Sequence, residues 1–195
     1  MANYNLDKTL SLVLEVFRTK DPEEMASRAA VSWDNDRQVF LVPYLNTEVE
    51  VTYPKGDVTS NESNLPMVDS IMILHYLVHA TGLPLQNNLI SFKELPDGAI
   101  YNDPFTKRAI TPFIKNFSNN TDKLKEWASK FGGKPADLGD VSYTIPIFPR
   151  VSITYVLWEG DEEFPPNATI LFDRSAGAYL PTENYAMLAG MLLWK

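Results

Sequence analysis

The sequence predicts an α+β fold, a single domain in which several helices pack on a mostly antiparallel sheet. Helical and strand-like segments are interspersed, but the strands come in neighbouring pairs joined by short turns, as in hairpins. The chain has 195 residues, 45% of them hydrophobic, so it is long enough for one well-packed core and a little short for two. No internal repeat, low-complexity tract or linker divides it.

The first third of the chain predicts two helices followed by a pair of strands. Apolar residues at helical spacing between Leu6 and Phe17 predict an amphipathic first helix. In the segment DPEE, Asp21 can cap a second helix, with a proline in its first turn and a glutamate three residues after the cap. This helix should run to about Ala30. Over residues 37–57 the apolar pattern changes from the helical to the strand period, which indicates strands with one solvated face.

The middle of the chain predicts a buried helix, a short strand and a bent helix. The segment of about Pro66–Thr81 is apolar almost all the way round, with Gly82 as its C-terminal cap, so we expect it to be buried. A short strand is expected at Leu89–Phe92. Asp103–Pro104 should open another helix, which Pro112 should bend or interrupt because proline has no backbone N–H.

The last third of the chain is rich in strands. A helix is expected at Thr121–Phe131, ended by two glycines. β-Branched and aromatic residues, separated by turns that contain proline and glycine, then predict three strands and a closing helix from about Thr182. The predicted strands are Val141–Phe148, Val151–Trp158 and Ala168–Asp173.

Composition excludes several classes of function. A net charge of −8 and a pI near 4.8 argue against binding to nucleic acid or to an anionic membrane surface. The absence of cysteine excludes disulfides, thiolate zinc sites, cysteine nucleophiles and an iron–sulfur cluster held by this chain. The start of the sequence lacks the features of a secretory signal, and the apolar stretch at its end is too short to cross a bilayer. We therefore expect a cytoplasmic protein.

The two histidines, His75 and His79, are the first candidate site. Four residues apart on a helix, they lie one turn apart on one face and could hold a metal, a haem or a corrinoid. Tyr76 occupies the position of the glutamate that a helical zinc protease needs, and Leu77 that of the aspartate in a corrinoid-binding fingerprint. The alternative is a pair of histidines hydrogen-bonded in a buried helix or lining an apolar pocket.

The second candidate is the acidic segment LWEGDEEFPP. Its carboxylates, Glu159, Asp161, Glu162 and Glu163, follow a predicted strand, and two prolines then prevent a central strand from continuing. The spacing does not match a calcium-binding loop. One interpretation is a structural, solvated hairpin tip, with Trp158 and Phe164 packing the hairpin and the prolines fixing its return. The other is a surface that binds a cation or a basic partner.

A third group of polar residues lies at strand ends. Arg150 lies between two predicted strands, and Asp173 with Arg174 closes the strand ATILF. An arginine in such a place could bind a carboxylate or phosphate through two parallel hydrogen bonds, or could form an internal ion pair. No nucleophile elbow or phosphate-binding loop is present, and two mid-helix histidines argue against a catalytic triad.

Three segments carry a resemblance to a known family: ISFKELPDGAIY, PRVSITYVLWEGDEEFPPNATILFD and AYLPTENYAML. From about Leu65 to the C-terminus the chain resembles an uncharacterised prokaryotic domain of unknown function found mainly in anaerobes. Many members are described as iron–sulfur proteins because a four-cysteine segment precedes this domain, and they are associated with corrinoid and one-carbon metabolism. This chain has no cysteine, so the iron–sulfur property does not carry over.

These observations leave three hypotheses for the function. The first is a non-catalytic accessory or ligand-binding domain of anaerobic metabolism, holding a tetrapyrrole-like cofactor such as a corrinoid or haem near the His75/His79 helix. The acidic turn and the Asp173–Arg174 pair would then form a rim or a surface for a protein partner. The second is an enzyme that uses carboxylates of the turn at 159–163, with Arg150 or Arg174 orienting an anionic substrate. The third is a protein-interaction module. The absence of recognised catalytic motifs favours the first.

Overall fold

A computed structural model describes residues 5–61 and 63–195 of the protein. The chain forms two compact units, each with a five-stranded sheet. Unit 1 comprises residues 5–84, 148–150 and 178–180, and unit 2 comprises residues 85–147, 151–177 and 181–195. All strand pairs with a defined register are antiparallel, so the predicted α+β class is confirmed, with two sheets instead of one.

The sheet of unit 1 follows the order of its strands in the sequence, as a meander of short turns requires. Its strands are β1 (Ser32–Asp34), β2 (Val39–Tyr44), β3 (Thr47–Thr52), β4 (Val58–Ser60) and β5 (Ser63–Asn64). In the central pair Val42 lies opposite Val49, and both are fully buried. Glu48 next to Val49 is exposed, so the predicted solvated face is confirmed.

Three helices of unit 1 match the predicted ones: α1 (Leu6–Phe17), α2 (Pro22–Ala29) and α3 (Met67–His79). The Asp21 carboxylate caps α2 by accepting the N–H of Glu24 at 2.8 Å. The prediction for the end of α3 was wrong. Its last turn gives way to an extended Ala80, and the N–H of Thr81 donates to the carbonyl of Ala178 at 3.1 Å. A tertiary hydrogen bond therefore ends the helix, two residues before the expected position.

The sheet of unit 2 has the strand order β6-β10-β9-β8-β7. Its strands are β6 (Leu89–Ser91), β7 (Lys134–Pro135), β8 (Val141–Phe148), β9 (Val151–Trp158) and β10 (Asn167–Asp173). The three long strands confirm the sequence prediction. Ile170 of β10 lies opposite Tyr155 of β9, whose buried hydroxyl donates to the carbonyl of Ala189 at 2.8 Å.

The helices of unit 2 are α4 (Asn102–Phe105), α5 (Thr111–Phe117), α6 (Thr121–Lys130) and α7 (Thr182–Met191). Between α4 and α5 the residues Thr106–Ile110 form a π-helix, in which the N–H of Thr111 donates to the carbonyl of Thr106. Pro112 cannot donate to the carbonyl of Arg108, and its ring would clash with that carbonyl in an α-helix. The interruption predicted at Pro112 is thus a local widening of a continuous helix. No helix of the described residues is long and apolar enough to span a membrane.

Candidate functional site

The candidate functional site is a cavity of about 380 Å³ in unit 2, which we call the π-helix cavity. Its walls come from three separate segments, residues 91–93, 102–110 and 169–170. A volume of this size lies at the lower end of the range of small-molecule sites, roughly 300–1,000 Å³. The apolar side chains that line it are Phe92, Phe105, Ile110 and Ile170.

Two stacked phenylalanines give the cavity a rigid wall. The rings of Phe92 and Phe105 lie 4.0 Å apart at an angle of 5°, and both pack on Phe172 of β10. Phe92 begins a 3₁₀ turn that is fixed by Ser91, whose N–H and hydroxyl both donate to the Glu94 carboxylate at 2.9 Å. Because the aromatic rings are buried and the turn is capped, this wall does not need a ligand in order to form.

The π-helix supplies the facing wall. Asn102, Thr106 and Ile110 follow one another at intervals of four residues and all line the cavity. A π-turn contains one residue more than a normal helical turn, and such turns are frequent at functional sites. One indication of this irregularity was present in the sequence, the proline at position 112.

Three neutral polar side chains converge on the cavity. The amide of Asn102 and the hydroxyls of Thr106 and Thr169 are half-buried, and none of them hydrogen-bonds to another side chain or backbone group within residues 5–61 and 63–195. Half-buried groups of this kind are satisfied by water or by a ligand. None of the three was predicted from the sequence, because an isolated Asn or Thr carries no motif.

The two histidines lie on the last turns of α3 in unit 1. His75 is half-buried and His79 is exposed, with ring centroids 5.5 Å apart at an angle of 89°. Desolvation of the imidazole and the nearby Lys20 ammonium lower the pKa of His79. The same ammonium, which donates to the carbonyl of Val78 at 2.7 Å, disfavours a bound cation.

Among the described residues, no group of three or more His, Asp or Glu side chains could hold a metal ion. The haem or corrinoid hypothesis for His75 and His79 stays a prediction from the sequence.

The acidic turn is exposed from Glu159 to Phe164. One oxygen of Asp161 accepts the N–H groups of Glu163 at 2.8 Å and Phe164 at 2.7 Å, and these hydrogen bonds lower the pKa of its carboxyl. The N–H of Glu159 donates to Asp140 at 2.8 Å. Phe164 is 67% exposed, so it does not pack the hairpin as expected. The exposure of the other carboxylates, Glu162 included, agrees with a solvated tip.

Asp173 is a buried structural carboxylate. Its Oδ1 accepts the N–H of Gln86 at 3.0 Å, the N–H of Ser175 at 2.9 Å and the Ser175 hydroxyl at 2.5 Å. Burial alone would raise the pKa of Asp173, but the hydrogen bonds from Ser175, Gln86 and Asn87 hold it below its usual value. Asp173 therefore fastens the segment before β6 to the end of β10.

Within unit 2 the structure does not bring Arg174 beside the acids of the turn. Arg174 is exposed and lies 3.7 Å from the Glu94 carboxylate, at the opposite end of β10 from the acidic turn, or roughly 20 Å away along the strand. Arg150 belongs to unit 1, where its backbone N–H donates to the Tyr76 hydroxyl at 3.2 Å. The arrangement proposed for an enzyme, with Arg174 beside the acids of the turn, does not form in unit 2.

One buried polar pair was not predicted. The Tyr44 hydroxyl donates to the Asp69 carboxylate at 2.5 Å inside unit 1, and both side chains are buried. Burial and the charge of Asp69 raise the pKa of Tyr44 well above its usual value. An aspartate in the first turn of an otherwise apolar helix was the signal available in the sequence.

The fold and the π-helix cavity together define a class of protein, an α+β protein of antiparallel sheets in which a small-molecule-sized cavity lies between a sheet and a widened helix. The model of a family described as a domain of unknown function (DUF3786) matches residues 21–194, so the chain belongs to that family. The match begins well before Leu65, where the resemblance seen in the sequence began. No curated protein and no solved structure shows a significant match.

Proposed function

We propose that this protein is a non-catalytic ligand-binding domain and that its ligand occupies the π-helix cavity. The observation that supports this most directly is the convergence of Asn102, Thr106 and Thr169 on an apolar cavity. Few, well-placed polar groups on an apolar lining are typical of small-molecule sites. A ligand would place its apolar part against Phe92 and Ile110 and its polar part toward the amide and the hydroxyls.

The energetics favour exchange of water for such a ligand. Burying apolar ligand surface gains about 25 cal/mol per Å², and a matched hydrogen bond adds about 0.5–1.5 kcal/mol. The rigid phenylalanine wall also favours binding, because few side chains lose conformational freedom when the ligand binds. A ligand that lacked the polar groups would leave the Asn102 amide unpaired in a dry site, which costs about 1–3 kcal/mol.

The lining of the cavity also supports a non-catalytic role. General acid–base catalysis needs a titratable group within hydrogen-bond reach of the reacting atom. Lys93 is the single ionisable side chain among the residues that line the cavity, and it is exposed at the edge. Binding therefore fits the chemistry of this site better than proton transfer does.

The test is a screen of neutral aromatic amides and alcohols by saturation-transfer NMR, followed by cavity variants. Ile110→Trp should fill the cavity and abolish binding of the compounds found. Thr169→Val, which keeps the side-chain shape and removes the hydroxyl, should weaken binding about fivefold or more because a hydrogen bond is lost.

Thr111→Val is the matched control for that screen, because Thr111 is exposed on the same continuous helix and does not line the cavity. Its affinities should equal those of the unmodified protein. Circular dichroism checks that each variant is folded. Compounds that bind Ile110→Trp as well as they bind the unmodified protein would place their site elsewhere and overturn the proposal.

A further inference from the structure

Lys93 is the one charged residue among those that line the π-helix cavity. Its side chain is exposed at the edge of the cavity. Over the described part of the chain, its ammonium forms neither an ion pair nor a side-chain hydrogen bond. In a protein with a net charge of −8, Lys93 places a positive charge among the residues that line the cavity.

The nearest carboxylate in the sequence is occupied elsewhere. One oxygen of Glu94 accepts the N–H and the hydroxyl of Ser91, each at 2.9 Å, and the other lies 3.7 Å from the Arg174 guanidinium. Asp103, next to Asn102, is exposed and does not line the cavity. Neither of these two carboxylates therefore pairs with the Lys93 ammonium.

We infer that the ligand is a monoanion with an apolar body, namely a small aryl or alkyl carboxylate; this rests on the proposed function. Its carboxylate accepts hydrogen bonds from the Lys93 ammonium and from the neutral donors of the cavity, such as the Asn102 amide. Its hydrocarbon part lies against Phe92 and Ile110. A single lysine matches a single negative charge, whereas a phosphate dianion would call for a second cation or an arginine fork, which the lining lacks.

The experiment compares carboxylates with amides of the same shape. Four matched pairs serve as probes: benzoate and benzamide, 3-phenylpropanoate and 3-phenylpropanamide, hexanoate and hexanamide, indole-3-acetate and indole-3-acetamide. Affinities are measured by ligand-observed NMR at pH 7 and low salt. We expect the carboxylate of at least one pair to bind about fivefold or more tightly than its amide, because a charge-assisted hydrogen bond exceeds a neutral one.

Two lysine variants decide whether Lys93 is responsible. Lys93→Gln should remove the preference for the carboxylate while leaving binding of the amide nearly unchanged. Lys107→Gln, at an exposed lysine of the π-helix that does not line the cavity, should keep the preference. The preference should also decrease as salt is added, because the charge is near solvent.

The possible results separate the inference from the proposed function. If no member of any pair binds in a manner sensitive to Ile110→Trp, the proposed function fails and the inference with it. If amides bind in the cavity as tightly as carboxylates, or if Lys93→Gln leaves the preference intact, the ligand-binding function stands and the inference is wrong.

Discussion

At the scale of single residues, Asp173 and Arg174 illustrate how neighbours at a strand end take different roles. Asp173 is only 7% exposed and accepts hydrogen bonds from Gln86, Asn87 and Ser175, whereas Arg174 lies at the surface beside Glu94. Asp173 is the last residue of β10 and Arg174 lies in the turn that follows, so the two neighbours belong to different local structures. The sequence indicated Asp173 and Arg174 as a candidate polar site, but it did not indicate that Asp173 is buried and holds two segments together.

Asp173→Asn should lower the free energy of unfolding at pH 7 by about 1–2 kcal/mol, because hydrogen bonds to a charged acceptor are stronger than those to a neutral one. The pKa of Asp173 is lowered in the folded state. Its stabilising contribution is therefore fully present above the unfolded-state pKa of about 3.9 and is lost as the pH falls toward the lowered folded value. Urea denaturation of both proteins at pH 7 and near pH 3 measures the difference.

Asp161→Asn is the control for this comparison, because Asp161 also accepts two backbone N–H groups but is exposed. Its effect on unfolding should be clearly smaller. If Asp173→Asn lowered the free energy of unfolding equally at both pH values, the role of Asp173 would lie in packing and not in its charge.

At the scale of helices and strands, the elements with a local cause were predictable. The cap of α2 depends on Asp21, and the strands β8 and β9 depend on runs of β-branched and aromatic residues. The end of α3 was not predictable, because it depends on a hydrogen bond to Ala178, which lies far along the chain. The π-helix cavity was missed for the same reason, since only the fold brings its three segments together.

Pro112→Ala should convert the π-helix to regular α-helix. The new N–H can donate to the carbonyl of Arg108, and the clash of the proline ring with that carbonyl disappears. The turn would then contain one residue fewer than the π-turn does. The residues before it would rotate by about 100° relative to α5, which displaces Thr106 from the cavity. Backbone NMR should detect loss of the hydrogen bond from Thr111 to Thr106, and the probes that bind the cavity should bind more weakly.

The matched control is Pro104→Ala in the first turn of α4, where a missing N–H costs no helical hydrogen bond. This variant should keep the π-helix and the affinity for the probes. A π-helix that persists in Pro112→Ala would show that packing around the cavity, and not the proline, sets the widened turn.

At the scale of the whole molecule, the two compact units are not consecutive stretches of chain. Six alternating segments build them, so the chain passes from one unit to the other five times. Phe148 is the last residue of β8, whose other residues belong to unit 2, yet it stacks on Tyr76 of unit 1 at 4.2 Å. Loss of one unit therefore releases segments that complete the other, and we expect the chain to unfold as the single domain predicted from its sequence.

Single-tryptophan variants test this expectation, because the sequence has four tryptophans and the units can be observed separately. One variant keeps only Trp33, which packs on Phe40 in unit 1, and another keeps only Trp127, whose indole donates to the carbonyl of Leu192 in unit 2. The other tryptophans become phenylalanine. In each variant the urea transition seen by fluorescence should coincide with that seen by far-UV circular dichroism, as two-state unfolding requires. Comparison within one variant removes the effect of the substitutions on stability. A fluorescence transition separated from the circular-dichroism transition in either variant would mean that the two units unfold as independent domains.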